Sequence, residues 1–509
     1  MAKRTRTADQ VPHLYDDLDT FLRLSATNDE LMPDSLRDRL HVPTGLEDAV
    51  RAAVEAGKAV AITGTAGSGK SHLLRTAVSA APDYTCIPDL TVEPEADWNK
   101  FFNRPKKIIV AGNEGAFLVG QKNGVKGFDK IIASLHAIQA GDDARPGHEI
   151  MIIDAAGFDA AGQRVIGTML GLPVLLDFMN ARRGELAATA WRMMESAAVR
   201  ERVAKLVETA SAHADTEGFT FRQLWQCVAD MMVGNETDEP WFVRLFNGVN
   251  EVSHRIARVF SPSALALPHV GNRMWHADLE RLEPLFVPEA VPVLRRLLAA
   301  AAREADSEKR LVLFRSLRLL AGFGLQNSPL DSMLRAGTEL WSSITRGESR
   351  PLLQAINRYF AFGLIDFGDD LELWVQHDTE RRHLKPPVQI SLGSALASDF
   401  TLAKSIAICN PPDGVTAPKG GRRLLRHLQS NAVLHVTKDL ADGLVRIRSH
   451  RMHDRQDIEY DWRLTAFFEK VATAAARPDR LHVANFDFSA RTGRIMKWQI
   501  TDRIQKVGG

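Results

Sequence analysis

The chain has 509 residues, of which 45% are hydrophobic and 25% charged, and its formal net charge is +1. That length exceeds one ordinary core and, at about 150 residues per domain, predicts two to four domains of a soluble globular protein. The balanced charge excludes a global electrostatic case for nucleic acid or membrane. Only the tail is uneven, with 19 Lys/Arg against 11 Asp/Glu from Thr401 onward.

Cys86, Cys227 and Cys409 are far apart, odd in number and without metal-ligand spacing. They predict neither a disulfide framework nor a cysteine-held zinc site, and a reducing, cytoplasmic compartment follows. The opening MAKRTRTADQ runs into polar sequence, and no window approaches about 18 uncharged apolar residues, so no secretory leader, membrane span or membrane partner is expected.

In chain order, residues 12–25 and 33–41 read as short amphipathic helices. TGLEDAVRAAVEAGK follows as a better-marked helix: Thr44 and Glu47 have capping-box spacing, Leu46, Val50 and Val54 recur at i+4, and Gly57 is placed to end it. Then come strand AVAIT, a glycine-rich loop and a helix over Ser71–Ala81. YTCIPDLTV (84–92), KKIIVAGN (106–113) and EIMIIDAAGFD (149–159) read as strands, with GFDKIIASLHAIQA as a helix between the last two. Strands alternating with helices predict a parallel sheet covered on both faces, an α/β nucleotide-binding core.

From about 181 to 362 the pattern is helical. FTFRQLWQCVADMMVGN has a capping box at Thr220 and Gln223, with Phe219 and Leu224 at hydrophobic-staple positions. Residues 291–325 and 351–364 carry Leu-rich helical stripes. After about 365, short β-like runs appear (LELWVQH, PVQISLG, SIAICN, AVLHVT, LVRIRSH), then the helix YDWRLTAFFEKVATAAA and the pair LHVANFDFS and RIMKWQITD. Asp413-Gly414 and Thr492-Gly493 read as turns. The expected domains are an N-terminal helical segment over 1–43, an α/β core bearing the glycine-rich loop over 44–235, a helical lid over 236–364 and a mildly basic α+β domain over 365–509.

The loop Gly64-Thr65-Ala66-Gly67-Ser68-Gly69-Lys70-Ser71 fits GxxxxGK[ST] at every fixed position, and these residues with the next one, His72, are the expected nucleotide-binding set. Glycines let successive N–H groups curl inward around phosphates, and the helix beginning near Lys70 adds its dipole. Lys70 is suited to the β- and γ-phosphates of ATP, and the Ser71 hydroxyl to Mg²⁺. A second carboxylate for that metal is wanted at a neighbouring strand tip. Asp154, closing EIMIID 84 residues after Lys70, meets the requirement.

Many such ATPases place Glu directly after that Asp, whereas Ala155-Ala156 follow here. The residue that polarises water is then expected elsewhere. Glu114 in IIVAGNEG is the first candidate, with Asn113 to hold the water or orient Glu114, and Asp159 a weaker one. Arg182, Arg183, Arg200, Arg202 and Arg222 are candidates for the transition-state arginine, and sequence does not choose among them. One acting in trans would require an ATP-dependent oligomer. HDTERRH (377–383) and HRMHDR (450–455) have no metal-site spacing and read as polar loops. In APKGGRRLLRH, Lys419, Arg422, Arg423 and Arg426 form a basic segment suited to a DNA backbone. At helical spacing Arg422 and Arg426 share a face, as do Arg423 and Arg426.

With the loop, VAGNEG and FTFRQLWQCVADMMVG in view, the first half of the chain resembles the DptF-like ATPases of phosphorothioation-dependent restriction and related bacterial defence systems, among AAA-like P-loop proteins. The motifs concerned are Asn113-Glu114-Gly115, ending a core strand, and Thr220-Phe221-Arg222, in a lid helix. The resemblance implies an ATPase that works on DNA with other proteins of a defence or DNA-modification complex. The Asp154-Ala155-Ala156 strand end departs from that pattern and favours an alternative: a nucleotide-gated scaffold that hydrolyses little. A small-molecule kinase is a further alternative, disfavoured by the large helical region.

Overall fold

The computed structural model describes residues 11–23, 33–65, 67–74, 84–91, 93, 95, 98, 107–140, 150–155, 158, 164–182, 185–212, 219–233, 239–246, 250–259, 280, 283–285, 288, 291–303, 316, 338–374, 388–412, 419–430, 432–446, 455–474, 480–487, 490, 492–500 and 504–507. They form two compact units, one of 1–135, 145–333 and 407–418, the other of 136–144, 334–406 and 419–509. No helix among the described residues is long and apolar enough to cross a membrane.

The first unit holds a five-stranded sheet. In chain order its strands are β1 (Ala59–Thr63), β2 (Thr85–Ile87), β3 (Ile108–Ala111) and β4 (Ile150–Asp154), completed by a later strand from Ile408–Cys409. The second unit contributes β5 (Leu371–Trp374), β6 (Val388–Ala395) and β7 (Phe400–Ile406) before that late strand, which is therefore β8. The sheet order is β2-β3-β1-β4-β8. The first four strands are parallel, and β8 pairs antiparallel with β4 through Ile152↔Cys409 and Ile153↔Ile408. The α/β class expected from alternating strands and helices is present, as a mixed rather than all-parallel sheet.

Burial explains why the central strands are continuous apolar runs. Val60 to Thr63 and Met151 to Ile153 are buried, so both faces of the sheet are covered and neither strand alternates. SIAICN, read from the sequence within the C-terminal domain, reaches this sheet. Lys58 Nζ donates to the carbonyls of Asn410 and Pro411, both at 3.3 Å, and Asn410 Nδ2 donates to Ile150 O at 3.1 Å.

Helices α1 (Val11–Arg23), α2 (Asp34–Leu40) and α3 (Gly45–Glu55) precede β1. At the end of α3, Gly57 N–H bonds Val54 O and Lys58 N–H bonds Ala53 O, a Schellman closure with Gly57 at φ +70°. The expected capping box at its start is not formed. Thr44 is the N-cap but makes no side-chain cap hydrogen bond, its carbonyl accepting from Glu47 N–H at 3.1 Å, and the Glu47 carboxylate is turned to His41 and His72.

Next come α4 (Glu114–Lys122), α5 (Phe128–Ala140), α6 (Val165–Leu170), α7 (Pro173–Ala181), α8 (Leu186–Trp191), α9 (Ala197–Ala212), α10 (Phe221–Met232), α11 (Trp241–Phe246), α12 (Glu251–Val259) and α13 (Val291–Ala302). The sequence-predicted capping box of α10 is complete. Thr220 Oγ1 accepts from Gln223 N–H at 3.3 Å, and Gln223 Oε1 accepts from Thr220 N–H at 2.8 Å. Phe219 and Leu224 are both buried beside it. Of the helix expected over 71–81, the structure describes only the first turn, to Leu74.

The second unit has α14 (Thr338–Arg346) and α15 (Ser349–Phe360), then β9 (Lys419–His427), β10 (Val433–Val436), α16 (Lys438–Arg446), α17 (Arg455–Ala474), β11 (Arg480–Asp487), β12 (Thr492–Ile500) and β13 (Ile504–Val507). Its sheets are β13-β12-β11-β6-β5 and β10-β9-β7, all antiparallel. Leu353, Phe360, Trp374, Leu464, Phe468 and Phe486 belong to its core.

Three expectations change here. The basic segment is a strand, not a helix: β9 is bonded on both sides, to β7 and β10, in unbroken register over Arg423–Arg426 against β10. Alternation along a strand then puts Arg423 and Arg426 on opposite faces. The LVRIRSH run begins inside α16, where Leu440, Ala441 and Leu444 are buried at helical spacing and Thr437 Oγ1 accepts from Leu440 N–H at 3.1 Å. Thr492-Gly493 lies in β12, with Thr492 opposite Asp487, so the turn falls before it. Asp413-Gly414, residues 377–383 and residues 450–454 lie outside the described residues.

Candidate functional site

The loop Gly64–Ser71 leaves β1 at the carboxyl edge of the parallel strands and leads into the helix that opens at Lys70. Gly67 and Gly69 sit at φ +81° and +91°, where an L side chain is strained. Close packing adds a second reason for glycine at 67: a Cβ there would stand 2.5 Å from Arg222 Cβ. Arg222 N–H donates to Gly67 O at 3.1 Å, and the Phe221 ring lies 3.4 Å from where a Gly69 Cβ would be. Phe221 in turn stacks on Phe158, centroids 6.2 Å apart and planes 4° off parallel. The capped N-terminus of α10 thus rests on the glycine loop, and the Thr220-Phe221-Arg222 tripeptide meets the loop directly.

Lys70 Nζ donates to Gly64 O and Thr65 O, both at 2.8 Å. Burial pulls the ammonium below the ordinary lysine value; the Asp89 carboxylate opposes that and the Arg222 guanidinium adds to it. Ser68 is buried and its Oγ has no hydrogen-bond partner among the described residues. Ser71 is exposed, while the His72 ring points to Glu47. Ala66 lies outside the described residues.

The strand tips gather acidic groups at the same edge. Asp154 stands in register with Thr63 on the strand beside β1, and Ala155 N–H donates to Thr63 O at 2.9 Å. Gly112 N–H donates to Ile62 O at 3.0 Å, which brings Asn113 and Glu114 to the edge on the other side of β1. Asn113 is the N-cap of α4, and its Oδ1 accepts from Ala116 N–H at 2.7 Å. That oxygen is therefore committed to the helix, and Glu114 sits half-buried in the first turn. Asp159 lies outside the described residues.

One residue at this edge was not singled out from sequence. Asp89 follows β2, which Pro88 ends early; its Oδ1 accepts from Thr91 N–H at 2.9 Å and Thr91 Oγ1 at 2.6 Å, and its charge is felt at Lys70. The legible signal was an apolar run closed by an acid, the same one that marked Asp154. Arg222 was one of five arginines the sequence left open, and it is the one placed against the loop. Of the other candidate arginines, Arg182 pairs with Glu185 at 2.7 Å, Arg200 donates to the carbonyls of Met194 and Glu195, and burial lowers the pKa of Arg202. Arg183 lies outside the described residues.

What the arrangement offers is a glycine loop with a half-buried ammonium, an exposed and a buried hydroxyl, three strand-tip carboxylates and a guanidinium on a neighbouring capped helix. Ligands of open α/β sheets bind at this carboxyl edge. Comparison of the chain with protein-family models, with curated proteins and with solved structures finds no match.

Proposed function

We propose that the chain is a Mg²⁺-dependent P-loop ATPase. The observation that carries this reading is the position of GTAGSGKS between a central parallel strand and a helix, with Lys70 held at its throat by two loop carbonyls. The residues fit the group they are assigned: positive-φ glycines leave room for phosphate oxygens, and the buried Ser68 hydroxyl lacks, among the described residues, a partner that a phosphate would supply. Mg²⁺, when bound, neutralises charge building between the β- and γ-phosphates.

In this reading Lys70 binds the β- and γ-phosphates, and Ser71 with Asp154 holds the metal. Glu114 orients water and accepts its proton, while Asn113 contributes through its amide N–H₂, its Oδ1 being engaged by the cap. Arg222, seated on the loop from α10, stabilises the γ-phosphate charge in cis. Asp89 is a second candidate for the metal role.

We assign the activity to a bacterial defence or DNA-modification complex on the resemblance carried by Asn113-Glu114-Gly115 and Thr220-Phe221-Arg222. These two motifs flank the loop, so nucleotide state is coupled to the attitude of α10 and through it to partner proteins. DNA engagement through Arg423 or Arg426 would use one face of β9 at a time.

Calorimetric titration with ATP and Mg²⁺, paired with phosphate release with and without DNA, tests the reading. Expected are heat of binding, lost in Lys70→Ala by tenfold or more (about 1.4 kcal/mol), and turnover abolished in Glu114→Ala with binding intact. No heat with folded protein overturns it. Binding without turnover under any condition selects the second reading, a nucleotide-gated scaffold, which Ala155 after Asp154 and the engaged Asn113 favour.

A further inference from the structure

His41, Glu47 and His72 come from three separate segments: the stretch after α2, the first turn of α3 and the helix after the glycine loop. Glu47 is a buried carboxylate, its side chain 2% exposed. His41 Nε2 lies 3.2 Å from its Oε2, and His72 Nε2 lies 3.3 Å from its Oε1. The two rings are 4.6 Å apart at 34°. One ligand atom from each residue falls within 4.8 Å of the others, which no other His/Cys/Asp/Glu group does among the described residues.

A buried carboxylate needs compensation, and here both imidazoles turn the same nitrogen to it. Burial raises the Glu47 pKa, but the His72 hydrogen bond and the charges of His41, His72 and Arg51 outweigh it and leave the group below its ordinary value. Arg51 is more distant, at 3.8 Å from Oε2, and is shared with the exposed Asp48 at 3.6 Å. The nearest edges of the cluster suit a metal. Bonds of about 2.0–2.1 Å in a tetrahedron place neighbouring ligands about 3.3 Å apart.

We propose that His41, Glu47 and His72 form a site for a borderline divalent transition metal of the zinc class. Two imidazole nitrogens and a carboxylate oxygen are the donors zinc prefers over magnesium. The metal cross-links the segment before α3, α3 itself and the first turn after the glycine loop. This site does not depend on the nucleotide reading.

The test uses the chelator-treated full-length chain and zinc chloride alone, followed by calorimetry and by thermal melting. Expected are one Zn²⁺ per chain at this cluster and a melting temperature that rises with zinc. Both effects should weaken on the order of 100-fold in Glu47→Gln. His41→Ala, which alters a half-buried residue outside any helix, gives the same readout should Glu47→Gln fail to fold. Co²⁺ in place of zinc should show the strong visible absorption of a tetrahedral site. Failure of the intact chain to bind, or unchanged zinc binding in His41→Ala, overturns the proposal and leaves the cluster as histidine–carboxylate contacts.

Discussion

Substituting Gly67 by alanine tests the contact on which the site geometry turns. Two costs arise. Holding alanine in the left-handed region costs about 1–2 kcal/mol, and φ at Gly67 is +81°. The new Cβ also meets Arg222 Cβ at 2.5 Å, an atom fixed by the helix backbone. Relieving such overpacking costs about 1–3 kcal/mol, so the total is about 2–5 kcal/mol. Gly124 provides the control, since its φ is +68° and nothing lies within 4 Å of its added Cβ. Gly124→Ala should lose only the first cost. Urea unfolding of both full-length variants, read with hydrogen exchange of peptides spanning Phe219–Gln226, measures the difference. Gly67→Ala should be less stable than Gly124→Ala by about 1–3 kcal/mol, with faster exchange at the start of α10. Equal destabilisation and unchanged exchange would show that α10 does not rest on the loop.

Asp89→Asn and Asp154→Asn rank the two metal carboxylates: the variant that loses Mg²⁺ dependence of ATP affinity by tenfold or more identifies the ligand, and equal retention in both refutes the metal assignment. Cys227 is fully buried and burial pushes its thiol up to about 12, so it stays protonated at neutral pH. Iodoacetamide followed by mass spectrometry should leave it unlabelled until denaturant is added, and labelling in native buffer contradicts the packing of α10. In the second unit, buried Glu372 accepts from Ser391 Oγ at 2.6 Å and pairs with His482 Nδ1 at 3.1 Å. Glu372→Ala removes the carboxylate that faces His482 Nδ1, while Ser391 Oγ keeps Gly393 O at 2.8 Å; the loss should cost about 1–3 kcal/mol by urea unfolding, and an unchanged midpoint would refute the network.

What the sequence determined by itself was whatever depends on near neighbours along the chain. The apolar runs of β1 and β4, the glycine loop with Lys70 and Ser71, the Gly57 closure of α3 and the Thr220/Gln223 box all rest on hydrogen bonds or side-chain periods spanning a few residues. Local pattern misled where a distant partner bid for the same group. Glu47 has capping-box spacing, yet its carboxylate serves His41 and His72, the second of which is brought to it by the β1 crossover. The Arg422–Arg426 segment has helical charge spacing, yet β7 and β10 claim its backbone on both sides. Tertiary structure alone decided that Arg222, rather than Arg182, Arg200 or Arg202, meets the loop, that Asp89 reaches the field of Lys70, and that residues 408–409 complete a sheet begun at residue 59. Those choices depend on which surfaces close over one another in space, and chain separation carries no record of that.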